Sequence, residues 1–440
     1  LQVRMLKEMV RVLREGAASR SKNSISPFQA FCISMAARVG TGNITGIAIA
    51  IALGGPGAIF WMWIIAIIGS ASSFVESTLA QIYKVKDVNG FRGGPAYYME
   101  KGLNKRWMGA LFAVLITLSF GIVFNSVQSN TVSLAFENAF GTNRLTLGLI
   151  LIAVFGTIIF GGVKRIAKLA ESIVVVLAVL YIGVAFFVIF SNITQLPGVL
   201  ALIVKNAFGF DQAAGGALGA ALMQGVRRGI FSNEAGMGSA PNAAATATTS
   251  HPVKQGLIQA FGVLTDTLVI CTSTAFIILF SDAYHTPGLS GIALTQASLS
   301  SHVGSWASGF LAILILLFGF CALIGNYYYG ETNIGFLNKS KKLIFVYRIG
   351  VLAMIVFGCV AKVQLVWDLA DLFMGLMVIV NLIAIFLLSK VVFTALKDYT
   401  RQKKAGKDPV FYKDVLKNHN GIECWPVSDT KTDTHNKQIS

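Results

Sequence analysis

Long apolar runs, each about the length of a bilayer crossing, alternate with short polar segments over most of the 440 residues. Ten runs are legible, near 27–53, 57–83, 107–136, 145–161, 171–192, 217–240, 255–281, 306–335, 343–360 and 365–389. Each is read as a membrane-spanning helix. Two of them are interrupted. In the first, Gly40-Thr41-Gly42-Asn43-Ile44-Thr45-Gly46 sits at the middle of apolar sequence extending from Ser26 to Leu53. In the sixth, the 17 residues from Gly225 to Pro241 hold four glycines, three charges and a proline. Glycine inside a helix costs about 1 kcal/mol relative to alanine, and backbone groups freed by a break cannot be left facing lipid. Irregular backbone at that depth is expected where it lines a cavity. The alternative is close helix packing over small residues, which a second interruption makes less economical.

The ten runs divide into five and five. An odd-numbered unit repeated in tandem inverts its topology, and here the first run of each half is the interrupted one. The expected fold is an all-α polytopic membrane protein, a five-plus-five inverted repeat with two discontinuous helices. Its parts are a basic surface segment over 1–26, a first repeat over 27–192, a second over 217–389 and a polar tail over 390–440.

Charge sharpens this picture. Charged residues make up only 13% of the chain, against 55% hydrophobic, yet the formal net charge is +16. Of the 36 Lys and Arg, 29 fall within 1–26, 84–106, 161–171, 250–256, 338–342 and 390–440, whereas Arg144, Lys205 and Lys362 lie in the alternate loops. The positive-inside rule accounts for that alternation and puts both ends of the sequence in the cytoplasm. No nucleic-acid partner is needed to explain the basic balance. Residues 1–26 interleave basic and apolar positions as an interfacial helix does. The five cysteines are scattered and odd in number, with no disulfide framework or metal-ligand spacing. Enzyme signatures are absent.

A helix that stops in mid-membrane leaves unpaired N–H groups and a partial positive charge at the start of the next half-helix. A carboxylate fits there, with Gly42 leaving room for its approach. The opposite half-helix end exposes carbonyls suited to a cation. Asn43, Thr41 and Thr45 add side-chain oxygens at the same place; Asn43 is equally suited to capping the outer half-helix. The third run carries a polar belt, Asn125 to Asn130, in which Gln128 is either a substrate contact or glue between helices. Charges within the runs are Arg38, Glu76, Arg227, Arg228, Glu234, Asp266 and Glu331. Salt bridges holding the bundle explain most of them; Glu76 and Asp266 are the candidates for a proton relay.

The stretches Val39 to Gly46, Gly54-Gly55-Pro56-Gly57-Ala58-Ile59-Phe60-Trp61-Met62-Trp63, Gly93 to Tyr98, Arg227 to Pro241 and the terminal Glu423-Cys424-Trp425 resemble the alanine or glycine:cation symporter family. The resemblance runs through nearly the whole chain. It implies a leucine-transporter-type fold and import of a small amino acid, alanine or glycine, with Na+ by alternating access. It also implies that Thr41 and Gly42 hold the substrate carboxylate, with Gln128, Phe231, Ser232 and Gly236 around the substrate. Asn43 would ligate one Na+, and the carbonyls of Ala36 and Val39 a second, together with the eighth span. There the sequence departs from the family: Cys321 and Ala322 stand where neighbouring hydroxyls are usual, so the second ion site is in doubt. Members also carry one more hydrophobic helix before the basic stretch, and the chain begins at Leu1, so a truncated sequence is expected. The expected location is the plasma membrane. Rival readings are H+ in place of Na+, a non-transporting amino-acid sensor and, least favoured, a channel. Oligomeric state is not legible.

Overall fold

The apolar runs fold as helices, because a chain in lipid has to satisfy its backbone polar groups within each segment. The computed structural model describes residues 4–18, 25–87, 90–161, 164–209, 215–338 and 340–428. Parts of the expected 1–26 segment and of the 390–440 tail therefore lie outside the described residues. Helix α1 (Leu6–Ala18) carries the basic N-terminal segment. Its Met9 and Val12 are buried, and Tyr399 donates to its Glu8 at 2.5 Å. The apolar side of α1 thus covers protein, not the lipid surface expected of an interfacial helix.

Helix α2 (Pro27–Arg38) opens on a capping box between Ser26 and Gln29. After Val39–Thr41 the chain resumes as a π-helical turn, Gly42–Gly46, and continues into α3 (Ile47–Gly54). The two parts of this span are bent by 51°. The first break is real, and it falls where the glycines are. Helix α4 (Gly57–Ile82) returns, followed by a hairpin of β1 (Val85–Asp87) and β2 (Gly90–Arg92) and by α5 (Pro95–Leu103). The third span joins α6 (Arg106–Leu118) to α7 (Asn125–Phe140) through a second π-helical turn, Ser119–Phe124.

Helices α8 (Arg144–Gly161) and α9 (Lys164–Ser191) follow, and α10 (Leu196–Phe208) turns by 74° from the end of α9. Then α11 (Gly215–Asn233) stops, and six irregular residues lead to the short α12 (Ala240–Ala244). Glu234, Gly236 and Gly238 take positive φ in this second break, at 55°, 80° and 81°. Glycine adopts that region freely; Glu234 does so against a steric cost, which marks the break as strained. Helices α13 (Pro252–Thr265) and α14 (Thr272–Leu279) are joined by a third π-helical turn, Asp266–Cys271. The chain closes with α15 (Gly291–Val303), α16 (Trp306–Leu337), α17 (Lys341–Val360) and α18 (Val363–Lys404).

Among the described residues, six helices are long and apolar enough to cross a bilayer, or eight spans if each bent pair counts as one. The other two expected spans coincide with α8, a shorter apolar helix, and with α11, which ends where the second break begins. The hairpin, α5, α10 and α15 are elements that the apolar-run reading left out. Both ends of the described chain lie on one side, since α1 touches α18 through Glu8 and Tyr399. Helix α2 starts from this terminal side, where Gly16 abuts Pro27. Helix α11 starts from the other, where Gly225 abuts Ala58 at the start of α4. The two broken spans therefore run in opposite directions.

The tail is folded against the terminal side over its described part. Phe411, Leu416, Ile422 and Trp425 are buried, and the Trp425 indole N–H donates to the Gln81 carbonyl at 2.9 Å. Lys84 is buried beside it, donating to Gln81 Oε1 at 2.8 Å and to the Ala247 carbonyl at 2.9 Å. Burial pushes its ammonium down to about 7.

Candidate functional site

The two breaks meet at the centre of the molecule. A methyl group on Gly42 would lie 3.0 Å from the Phe231 ring and 3.5 Å from the Ser232 Cα, so the restart of the first broken span rests directly on the end of α11. The missing side chain is what permits that approach. Thr41 Oγ1 donates to Gln128 Oε1 at 2.9 Å, which brings the polar belt of α7 to the same point. The Phe231 ring is held between Phe124, at 4.9 Å, and Trp367 of α18, at 4.8 Å. Four spans thus converge on the amides at the start of the Gly42–Gly46 turn. Thr41, Gly42, Gln128, Phe231 and Ser232 are brought together here.

A polar cluster adjoins it. The Asn43 side-chain amide donates to Asp266 Oδ1 at 2.6 Å and to Ser232 Oγ at 3.0 Å, while its oxygen accepts from the Gly40 N–H at 3.0 Å. Ser232 donates to Asp266 Oδ2 at 2.6 Å, and Thr267 and Cys271 lie against the same carboxylate. All of these groups are buried. Carboxylate, hydroxyl and amide oxygens are donors for a hard monovalent cation, and a buried carboxylate calls for a counter-charge. Asn43 enters the cluster through its NH2 group, so the ligand role expected for it requires the amide to turn over.

Gly236 is placed differently. Its N–H donates to Glu76 at 3.4 Å and its carbonyl accepts from Asn381 at 2.9 Å. Glu76 also takes the Gly238 N–H at 3.1 Å and the Asn381 amide at 2.7 Å. The backbone donors of the second break are thus answered by a protein carboxylate. Ala36, Val39 and Cys321 share one buried cluster, and Gly325 packs on Ala37, so the eighth span does lie along the end of α2. Above the site, on the side away from the termini, the Arg228 guanidinium stacks 4.7 Å from Trp367 and pairs with Asp371.

Sequence reasoning singled out Asp266 only as a possible relay and passed over Phe124, Trp367 and Cys271. One structural regularity connects several of them. Among the described residues, all three π-helical turns border the site: Gly42–Gly46 opens it, Ser119–Phe124 delivers Phe124, and Asp266–Cys271 delivers Asp266 and Cys271. Such turns re-aim side chains within an otherwise regular helix.

The model of the sodium:alanine symporter family matches residues 1–413. The chain belongs to this family. It is 54% identical over 425 residues to the amino-acid carrier protein AlsT of Bacillus subtilis, covering 97% of this chain and 90% of that one. It is 40% identical to a sodium/proton-dependent alanine carrier protein of Bacillus sp. strain PS3, covering 95% and 98%. The sodium/alanine symporter AgcS of Methanococcus maripaludis is 39% identical, covering 87% and 86%. Among solved structures, MhsT in complex with L-phenylalanine superposes with a TM-score of 0.57 at 14% identity, over 82% of this chain and 89% of that one. A manganese transporter of Eremococcus coleocola gives 0.55 at 14% identity, over 82% and 79%. The fold is of the leucine-transporter type. This member of the sodium:alanine symporter family is a multi-pass membrane transporter, not an enzyme.

Proposed function

We propose that the protein imports a small amino acid, alanine or glycine, in symport with Na+ by alternating access across the plasma membrane, with both ends of the given sequence in the cytoplasm. The observation that carries this reading is the adjacency of the Gly42 amides to the Asn43–Asp266–Ser232 cluster, which suits a carboxylate and a cation side by side. The substrate carboxylate lies at the start of the Gly42–Gly46 turn, against Thr41 and Gln128. Phe231, wedged by Phe124 and Trp367, bounds the side-chain end. Asp266 and Ser232, with Asn43 turned to present its oxygen, hold the ion. The opposite directions of α2 and α11 support the inverted five-plus-five repeat.

Uptake of labelled alanine into proteoliposomes, with and without an inward Na+ gradient, tests the reading. Equal uptake under both conditions would sink sodium coupling. A second reading is favoured by the same carboxylate: Asp266 is able to carry a proton in place of Na+, and one relative is named sodium/proton-dependent. Uptake driven by an inward pH step alone, lost in Asp266→Asn, would support it.

A further inference from the structure

Arg38 ends α2 and is only 2% exposed, deep in the transporter. Its Nη1 donates to the Gln259 carbonyl at 3.4 Å, while Nε and Nη2 have no hydrogen-bond partner among the described residues. A buried guanidinium ordinarily has its fork filled by a carboxylate. Three carboxylates, Glu76, Glu234 and Asp266, lie within its electrostatic reach, and none is paired with it.

All three accept hydrogen bonds from neutral groups, Asp266 from Asn43 and Ser232. Glu76 is bound by Gly236, Gly238 and Asn381, and Glu234 accepts from Ser239. Asp266 differs, because it stands in the cluster that the proposed cation enters and leaves. The guanidinium also lies on the face of α13 that leads into Asp266, the first residue of the π-helical turn. A methyl group on Gly262 would sit 2.9 Å from Arg38 Nη1, so the glycine forms the seat of the guanidinium. Asp266 follows four residues on, about 6 Å along the helix.

We infer that Arg38 is a tethered counter-cation for Asp266, alternating with the coupling ion during the transport cycle. This rests on the reading that Asp266 carries that ion. With the cation bound, Asp266 is neutralised and Arg38 stays on its seat at Gly262 and Gln259. When cation and amino acid leave, a bare carboxylate remains in a low-dielectric interior, and neutral donors such as Asn43 do not cancel its charge. Arg38 then moves one helical turn and offers its Nε and Nη2 donors to Asp266. The empty carrier so compensated returns across the membrane. Arg38 touches neither substrate nor ion; it is a positioning residue for the return step.

The step is isolated by comparing two assays in proteoliposomes, using the inward gradient of whichever cation, Na+ or H+, drives the wild type. Net uptake into alanine-free vesicles requires the empty carrier to return. Exchange of external labelled for internal unlabelled alanine, with that cation equal on both sides, does not. Arg38→Gln is expected to lower net uptake about tenfold or more while exchange stays within about twofold, and Arg38→Lys to recover part of the net uptake. Gly262→Ala keeps the charge but displaces the guanidinium, and is expected to act in the same direction more weakly, which keeps the test open if Arg38→Gln fails to insert. Equal losses in both assays, or unchanged net uptake in both Arg38→Gln and Gly262→Ala, would overturn the inference alone. A wild type whose uptake follows neither cation gradient removes the underlying reading, and this inference with it.

Discussion

The Asn43 amide donates to the Asp266 carboxylate across 2.6 Å, tying the first broken span to the π-helical turn of the seventh. The same side chain accepts from the Gly40 N–H inside the break, next to Thr41 and Gly42. One residue therefore touches the backbone proposed to hold the amino acid and the carboxylate proposed to hold the ion. Neither occupant is able to bind without adjusting it. The two sites are thermodynamically linked, and linkage is reciprocal. Saturating Na+ is expected to raise alanine affinity by roughly 5- to 150-fold, and saturating alanine to raise Na+ affinity by the same factor. Thermal-shift titrations of each ligand at two fixed concentrations of the other measure both factors. A factor of one in both titrations would separate the sites.

Asp266→Asn keeps the shape of the cluster and removes its charge. Uptake should then lose its dependence on the driving cation, with a drop of roughly a hundredfold in cation affinity if about 2–3 kcal/mol of ion pairing is lost. Asn43→Ala, which removes only a neutral ligand, should shift the Na+ concentration for half-maximal uptake upward by a smaller factor. Unchanged Na+ dependence in Asp266→Asn would place the ion elsewhere.

Gly42 permits a contact that any added side chain would push apart. An added methyl group would stand 3.0 Å from Phe231, whose ring is already pressed by Phe124 and Trp367. Gly42→Ala should weaken alanine binding by about tenfold, the cost of a displaced ring at about 1–1.5 kcal/mol. Gly42→Leu should abolish binding while the protein still inserts. Binding is read by ligand-induced thermal stabilisation, and wild-type affinity in the leucine variant would contradict the carboxylate assignment.

Much of this arrangement was legible in the chain. Gly40 to Gly46 signalled a break because a helix meant only for anchoring gains nothing from glycine and asparagine at its midpoint, and α2 ends at Arg38. Symmetry pointed to a second break within Gly225 to Pro241, and the structure has it at Glu234 to Ser239. Gly236 stands inside that break, but sequence does not say which amides a neighbouring carboxylate will take, and Glu76 takes those of Gly236 and Gly238. Asp266 carried its own signal, a lone carboxylate in an apolar run, yet its partners Asn43 and Ser232 come from spans far away in the chain. Trp367 gave no signal at all, because an aromatic residue near a span end reads equally well as an interfacial anchor. The tail beyond Lys390 read as polar, and its order rests on a few buried residues, such as Phe411 and Trp425, spaced too widely to form a pattern.

The contact of that tail with the helices should be acid-sensitive. His251 is fully buried between the rings of Tyr399 and Phe411, at 5.1 and 5.2 Å. Its Nδ1 accepts from the Val253 N–H at 3.2 Å, capping α13 in the neutral form. Burial holds its pKa below the usual 6.5, with Asp398 pulling the other way. The unfolded chain therefore takes up a proton below about pH 6.5 that the folded chain resists, so stability falls as pH drops through that window and is unaffected by this group at higher pH. Limited proteolysis of the tail at pH 7.5 and 5.5 should show faster cleavage in acid, and His251→Phe should abolish the difference. The same acid effect in that variant would point to another group.

Arg228 and Asp371 form a lid over the site on the side away from the termini. Arg228 is buried, pairs with Asp371 and stacks on Trp367, which in turn packs on Phe231. Removing one partner of a buried pair costs about 3–5 kcal/mol, because the other charge is left without compensation. Asp371→Asn is therefore expected to lower the thermal stability of the purified transporter sharply, whereas replacing both charges, with Arg228→Met and Asp371→Leu together, should recover much of it. The pair also bridges α11 and α18 on the side away from the termini, so opening there has to break it. The double variant should then bind alanine but release it to that side faster, seen as a shorter residence time for labelled alanine on protein held in detergent. Additive stability losses for the two charge removals would show that the residues do not act as a pair, and an unchanged residence time would remove them from the lid.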